Sequence, residues 1–429
     1  MTTTATTHTA TIDPDAAVTI TPRKWKTPIA LAVFALLGFI AFGVLAASEP
    51  VSFSWTASGA DPVIPNWDTD SKGVGIVTGI LMLLMTAVSG WFTWMRRSTP
   101  AWFIAIFGVL FITGLLASVG AGDRVPVVYL ATGALALAVP VVLGALAGVM
   151  GERVGVTNIA IEGQLLLGAF SAAVVGTMTG SLLLGIGAAM ISGALVAMVL
   201  ASFSIKYLVD QIIVGVVLNV LVAGLTSFFY SAVLAGNAKE TNYPGTLDKL
   251  PIPGLSGIPL FGPILFDHRA TTYLMFILVP IVGFLMFKTR WGLRLRAVGE
   301  HPLAADTVGI NVNRTRFWVM TLAGLIAGLG GAALSIGSVG GFIPDMSAGQ
   351  GYIALACVIL GRWNPWYASA AALLFGFSRI FQIWAGQSGS GIPSDFIAMI
   401  PYVVTLIAVA GFVGKSIAPA AVGKAYVKS

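Results

Sequence analysis

Polar side chains stand in this chain where its apolar surroundings make them costly. Asn158, Glu162 and Gln164 run from Gly151-Glu-Arg-Val-Gly-Val-Thr157 straight into an apolar segment, and Asn219 lies inside Ile212-Ile-Val-Gly-Val-Val-Leu-Asn-Val-Leu-Val222. Carboxamides and a carboxylate supply hydrogen-bond donors and acceptors. They suit a neutral polar solute, or a neighbouring helix that needs a partner. Glu162 either faces a cavity, where a carboxylate at membrane depth is tolerated, or caps a helix start near the interface. Further along, Gln350 closes the irregular run Gly337-Ser-Val-Gly-Gly-Phe-Ile-Pro-Asp-Met-Ser-Ala-Gly-Gln-Gly351, and Arg379 and Gln382 share one helical face. Arg379 falls near the outer third of its apolar run, so it either snorkels to the interface or lines a passage. Asn158, Glu162, Gln164, Asn219, Gln350, Arg379 and Gln382 are therefore the candidate pathway residues.

Catalytic and metal chemistry find little support. The three histidines, His8, His268 and His301, are scattered, and the single cysteine, Cys357, sits in an apolar run. No catalytic or metal set is expected, and no cofactor bound by this chain. Gly328-Leu-Gly-Gly-Ala-Ala333 matches a dinucleotide fingerprint in letters only, and Gly414-Lys-Ser416 lacks the first glycine of a phosphate loop, Val409 standing there.

The elements that carry these residues follow from composition. With 57% apolar and 9% charged residues and a mean hydropathy of +0.92, the chain reads as a polytopic membrane protein. Its net charge of +6 arises in short loops and acts as a topology signal, so no nucleic acid partner is expected. Apolar runs occur near 27–47, 73–94, 101–119, 126–150, 164–180, 182–203, 211–235, 271–287, 317–336, 350–361, 366–384 and 396–413. The fold class expected is all-α and polytopic, with about 10–12 transmembrane helices. Two segments read as broken or re-entrant, since Gly163-Gln164 and Gly349-Gln350 each open an apolar run. These runs head in opposite directions, as an inverted repeat would arrange them around a path. Glycine pairs four residues apart, Gly75/Gly79, Gly144/Gly148 and Gly324/Gly328, predict close helix packing.

Between Lys288 and Arg316 the chain places Arg290, Arg294, Arg296 and Arg314 against only Glu300 and Asp306. This basic loop, helical by pattern, belongs on the cytoplasmic side, and the distribution of Lys and Arg puts both termini there. Residues 1–26 read as a Thr-rich, disordered cytoplasmic tail. The loop 236–270, with Pro251, Pro253, Pro259 and Pro263, is expected to hold no regular helix.

Four ordered blocks carry a resemblance. They are Gly151-Glu-Arg-Val-Gly-Val-Thr-Asn-Ile-Ala-Ile-Glu-Gly-Gln164, Asp210-Gln-Ile-Ile-Val-Gly-Val-Val-Leu-Asn219, Leu295-Arg-Ala-Val-Gly-Glu-His-Pro-Leu-Ala-Ala-Asp-Thr-Val-Gly-Ile-Asn311 and Gly349-Gln-Gly-Tyr-Ile-Ala-Leu-Ala-Cys-Val-Ile-Leu-Gly-Arg-Trp-Asn-Pro365. Together they resemble the membrane permease subunits of bacterial ABC importers in the branched-chain-amino-acid/ribose permease superfamily, nucleoside and simple-sugar branch. The resemblance implies import of a nucleoside across the bacterial plasma membrane. It also implies a second homologous permease subunit, a cytoplasmic ATPase with two nucleotide domains that holds ATP and Mg, and an extracellular substrate-binding lipoprotein. It makes 126–413 the permease core, 27–125 extra N-terminal helices and 414–429 a cytoplasmic tail. Loop 288–316 becomes the ATPase-coupling element, with Arg294, Arg296, Gly299, Glu300, His301, Pro302, Ala305 and Gly309 its candidate residues. Competing readings are a permease for a simple sugar such as ribose and a self-sufficient transporter driven by a proton through Glu162 or by an ion.

Overall fold

A computed structural model describes residues 25–56, 64–388, 399 and 417–427. The Thr-rich stretch 1–24 and the apolar run 396–413, apart from Met399, lie outside the described residues. Each apolar run from 27–47 to 366–384 is helical, and among the described residues ten helices are long and apolar enough to cross a membrane. The protein is a multi-pass, all-α membrane protein.

The chain forms two compact units, one of residues 1–49 and 70–118, the other of 50–69 and 119–429. In the first, α1 (Lys26–Gly38, extended by a π-turn over Phe39–Val44), α2 (Ser71–Trp94) and α3 (Ala101–Val119) pack around Leu31, Ala35, Met82 and Phe107. Gly75 and Gly79 let α2 touch the π-turn, since a Cβ at Gly75 would lie 1.8 Å from the Phe42 carbonyl oxygen. Asp70 caps α2 by accepting from the Gly73 N–H at 2.7 Å, and the Ser48 hydroxyl donates to its other oxygen.

In the second unit, short strands β1 (Pro50–Ser54), β2 (Trp67–Asp70) and β3 (Arg124–Pro126) precede the bundle, with β1 and β3 parallel. The helices are α4 (Val127–Arg153), α5 (Ile161–Thr179), α6 (Leu182–Ala201) and α7 (Gln211–Phe229). After them the connecting loop holds only one-turn helices, α8 (Ala238–Thr241) and α9 (Phe261–Leu265), and an antiparallel hairpin of β4 (Lys249–Pro251) and β5 (Asp267–Arg269). The sequence expectation of no regular helix there is met except for these two single turns, α8 before the prolines and α9, where Pro263 stands in the first turn and a missing N–H costs nothing. Then come α10 (Ala270–Lys288), α11 (Arg290–Glu300), α12 (Pro302–Thr307), α13 (Val312–Leu334, with a π-turn over Ser335–Val339), α14 (Gln350–Leu360) and α15 (Pro365–Gln387).

The core centres on α4 and α13, the most deeply buried of the spanning helices. Small residues set its spacing. A Cβ on Gly328 would come within 2.1 Å of the Ala189 carbonyl oxygen, and one on Gly324 within 2.6 Å of that of Gly193, so α13 and α6 touch backbone to backbone. Without a hydrophobic driving force between helices in lipid, such close packing supplies the association energy.

Candidate transport site

Two helices begin inside the bundle, and their N-termini meet. Along α4, a Cβ at Gly144 would touch Ala354 of α14 and Ile161 of α5, and one at Gly148 would touch Val358 and again Ile161. Helix α14 thus runs parallel to α4. Leu165 lies against Gly144, farther back along α4 than Gly148, so α5 runs antiparallel. Gly144 is roughly 13 Å along α4 from Arg153 at 1.5 Å per residue, which places the meeting point at membrane depth. Residues 154–160 and 340–349 reach it from opposite ends as irregular chain, a form membranes accept only inside protein or beside a cavity.

Glu162 sits at this junction. It lies in the first turn of α5, and its Oε1 and Oε2 accept from the backbone N–H groups of Gly349 (2.8 Å) and Gly351 (2.6 Å) at the start of α14. The positive ends of two helix dipoles therefore stabilise one carboxylate. Gly351 permits the approach, since a Cβ there would lie 2.4 Å from the Glu162 nitrogen.

The amides around it are also engaged. Asn158 and Gln164, both fully buried, exchange reciprocal hydrogen bonds of 3.1 and 3.0 Å. The Asn219 oxygen accepts from the Gly163 N–H at 2.8 Å, and its nitrogen donates to the Ile159 carbonyl and the Tyr352 hydroxyl. These residues fasten the re-entrant turn to α7 and α14. The structure brings Asn158, Glu162, Gln164 and Asn219 together, but spends their polar groups within the protein.

A cavity of about 320 Å³ opens beyond this junction, on the side away from Arg153. Gln350 and Arg379 line it with Phe375, Leu334, Val141 and Ser338. Its volume falls in the range of small-molecule sites, as does its mix of apolar wall and few polar groups. The Gln350 Oε1 is buried without a hydrogen-bond partner. Gln382 stands behind Arg379, accepting from Nη1 at 3.4 Å, and does not line the wall. Ser338 and Phe375 were not singled out from the sequence; the glycine-rich break at 337–341 contains Ser338, while Phe375 is one of several aromatics in an apolar run.

A second cavity of about 170 Å³ shares Leu137 and Ser338 with the first and reaches the β4–β5 hairpin. There Lys249 and Asp267 form a 2.8 Å ion pair, and Arg269 donates to the Gly337 carbonyl. His268, buried beside them with Nε2 on the Ile264 carbonyl, is pushed below the ordinary histidine value chiefly by loss of water. Among the described residues, no three of His, Cys, Asp and Glu cluster as metal ligands would.

At the opposite end lies the basic loop. The Thr289 hydroxyl caps α11, and Pro302 opens α12. Gly299 packs on α4, where a Cβ would meet the Arg153 carbonyl oxygen at 2.0 Å. Ala305 is buried, and Arg296 lies over the Phe287 ring at 5.2 Å. Arg294, Glu300, His301 and Gly309 face outward, with Gly309 in a left-handed turn, and Pro302 is half-buried. Beside them Leu293, Leu303 and Val308 are 61%, 61% and 75% exposed, an apolar surface the charge pattern had concealed.

Comparison with known proteins places this architecture. Residues 130–409 match the family described as branched-chain amino acid transport system / permease component. The guanosine ABC transporter permease protein NupQ of Bacillus subtilis is 39% identical over 303 residues, 68% of this chain and 95% of the relative. The nucleoside ABC transporter permease protein NupC of Lactococcus lactis is 37% identical over 300 residues, 68% of this chain and 94% of its own length. No solved structure matches the chain. With a family match over 130–409 and a 39% identical relative covered over 95% of its length, the chain belongs to the branched-chain amino acid transport system permease component family.

Proposed function

We propose that this chain is the membrane-spanning permease subunit of an ATP-driven ABC importer and forms the translocation path for nucleosides. The observation that carries the reading is the similarity, over 68% of this chain and 94–95% of the relatives, to proteins described as guanosine and nucleoside ABC transporter permeases. The cavity fits it: a nucleoside joins a flat base to a polar ribose, and the wall offers Phe375 and Leu334 beside Gln350, Ser338 and Arg379. In this reading Gln350 and Arg379 meet the solute, Gln382 orients Arg379, and Asn158, Glu162, Gln164 and Asn219 hold the broken helices in register.

The basic loop marks the cytoplasmic face of the bacterial plasma membrane, with both termini on that side. Leu293, Arg294, His301, Leu303 and Val308 dock on the ATPase, whose two nucleotide domains hold ATP and Mg. Gly299, Ala305 and Arg296 instead set the loop against its own subunit. A second homologous permease completes the pore. Support for pairing comes from Bacillus subtilis, where the guanosine ABC transporter permease proteins NupQ and NupP both resemble this chain, at 39% and 25% identity. An extracellular substrate-binding lipoprotein delivers the solute.

A sugar is the second reading, because a putative glucose ABC transporter permease protein of Haloferax volcanii is 36% identical over 243 residues. Competition decides between them. Uptake of labelled guanosine by the reconstituted importer should be suppressed by excess unlabelled nucleosides and unaffected by ribose or glucose. Suppression by the sugars alone would overturn the nucleoside assignment.

A further inference from the structure

The segment 417–427 is strapped across the basic loop. The Ala421 N–H donates to the Gly299 carbonyl at 2.9 Å, and the Ala420 N–H donates to the Glu300 carboxylate at 3.1 Å. These bonds fall at the C-terminal end of α11, where helix carbonyls lack intrahelical partners. Farther on, Tyr426 is buried in the main core cluster and its hydroxyl is hydrogen-bonded to Asp306 of α12. The strap also grips the start of α13. The Arg316 guanidinium, 2% exposed, donates through Nη1 to the Lys424 carbonyl at 3.0 Å, while its Nε and Nη2 are buried without a hydrogen-bond partner. On the other side Gly155 of the re-entrant turn approaches closely, since a Cβ there would lie 3.2 Å from the Ala421 carbonyl oxygen and 2.8 Å from Arg316 Nη2.

One short segment therefore touches α11, α12, α13 and the turn that leads to Glu162. A loop that transmits force from an ATPase must hold a fixed pose relative to the broken helices. Leu295, Val298 and Ala305 share a buried cluster with Val154 and Val156, Gly299 packs on Arg153 and Gly155, and the segment 417–427 adds hydrogen bonds to that packing. Docking also removes water from Arg316 in return for one carbonyl, which keeps the strap's net binding modest. We infer that residues 417–427 are a positioning strap that holds α11–α12 in the pose needed for coupling to ATP hydrolysis, with Tyr426 its anchor. This rests on the reading of the loop as the coupling element.

The test uses the full importer and two variants, a chain ending at 416 and Tyr426→Ala. Hydrogen exchange of the purified permease should show amides of 296–307 exchanging about tenfold faster in both, as loss of one or two hydrogen bonds implies. In proteoliposomes the ATPase should still co-purify, while nucleoside imported per ATP falls several-fold. Adding a 417–429 peptide to the truncated importer should restore part of that ratio, which a folding defect would not allow. Unchanged exchange in 296–307 overturns the strap. Faster exchange with an unchanged transport-to-hydrolysis ratio overturns its role in coupling. Leu303→Asp separates the two levels: if that variant also couples normally, it is the assignment of the loop that fails.

Discussion

Glu162 Oε2 lies 2.6 Å from the backbone nitrogen of Gly351, a residue 189 positions later in the chain, and this contact joins the two helices that begin inside the membrane. The carboxylate is a cap shared by α5 and α14. An intramembrane carboxylate invites a role in proton coupling. Here both its oxygens are committed to peptide N–H groups.

Glu162→Gln preserves shape and one acceptor, and should give a folded complex with lowered thermal stability. Glu162→Leu strands two buried N–H groups at about 1–3 kcal/mol each. Size-exclusion profiles after a heat series should show the Leu variant lost well below the temperature that the Gln variant survives. Equal survival would return Glu162 to the cavity.

The Asn158–Gln164 pair predicts an asymmetric double-mutant cycle. Asn158→Leu alone should cost about 1–3 kcal/mol because it orphans the Gln164 amide. Adding Gln164→Met should recover much of the loss, since two apolar neighbours need no partner. Additive costs would mean that the two side chains do not depend on each other.

In the cavity, Arg379→Met keeps length and apolar bulk while removing the guanidinium. Uptake by the assembled importer should show a KM raised about tenfold, the worth of roughly 1.4 kcal/mol. Gln382→Ala should produce a smaller change in the same direction, because Gln382 only orients Arg379. An unaltered KM for Arg379→Met would remove the cavity from the path.

His268 predicts a pH dependence at the β4–β5 hairpin. Loss of water lowers its pKa in the folded state, so the folded chain takes up a proton less readily than the unfolded one. Stability therefore falls as pH drops below the ordinary value of about 6.5. Melting curves between about pH 8 and 5 should show this decline, flattened in His268→Gln. An equal decline in that variant would assign the effect to other groups.

Sequence made the spanning helices legible because the bilayer demands long apolar runs, and lipid packing demands pairs such as Gly324 and Gly328. The breaks before Gln164 and Gln350 were legible too, as polar and glycine-rich runs inside apolar ones. What Asn158, Glu162 and Asn219 face was not, because a buried amide reads the same whether it binds a solute or a peptide group 56 residues away, as Asn219 does. Gly299 was legible as part of the basic loop, but its contact with the Arg153 carbonyl comes from tertiary packing. The strap at 417–427 carries no periodicity at all, and its partners lie more than 100 residues earlier.

Whether this chain is the permease of an ATP-driven nucleoside importer is decided by guanosine uptake into proteoliposomes holding it with its partner permease, ATPase and binding protein, with ATP at the ATPase and no ion gradient. Uptake should require ATP hydrolysis and vanish when this chain is reconstituted alone, with or without a proton gradient. Gradient-driven uptake by the chain alone would contradict that role.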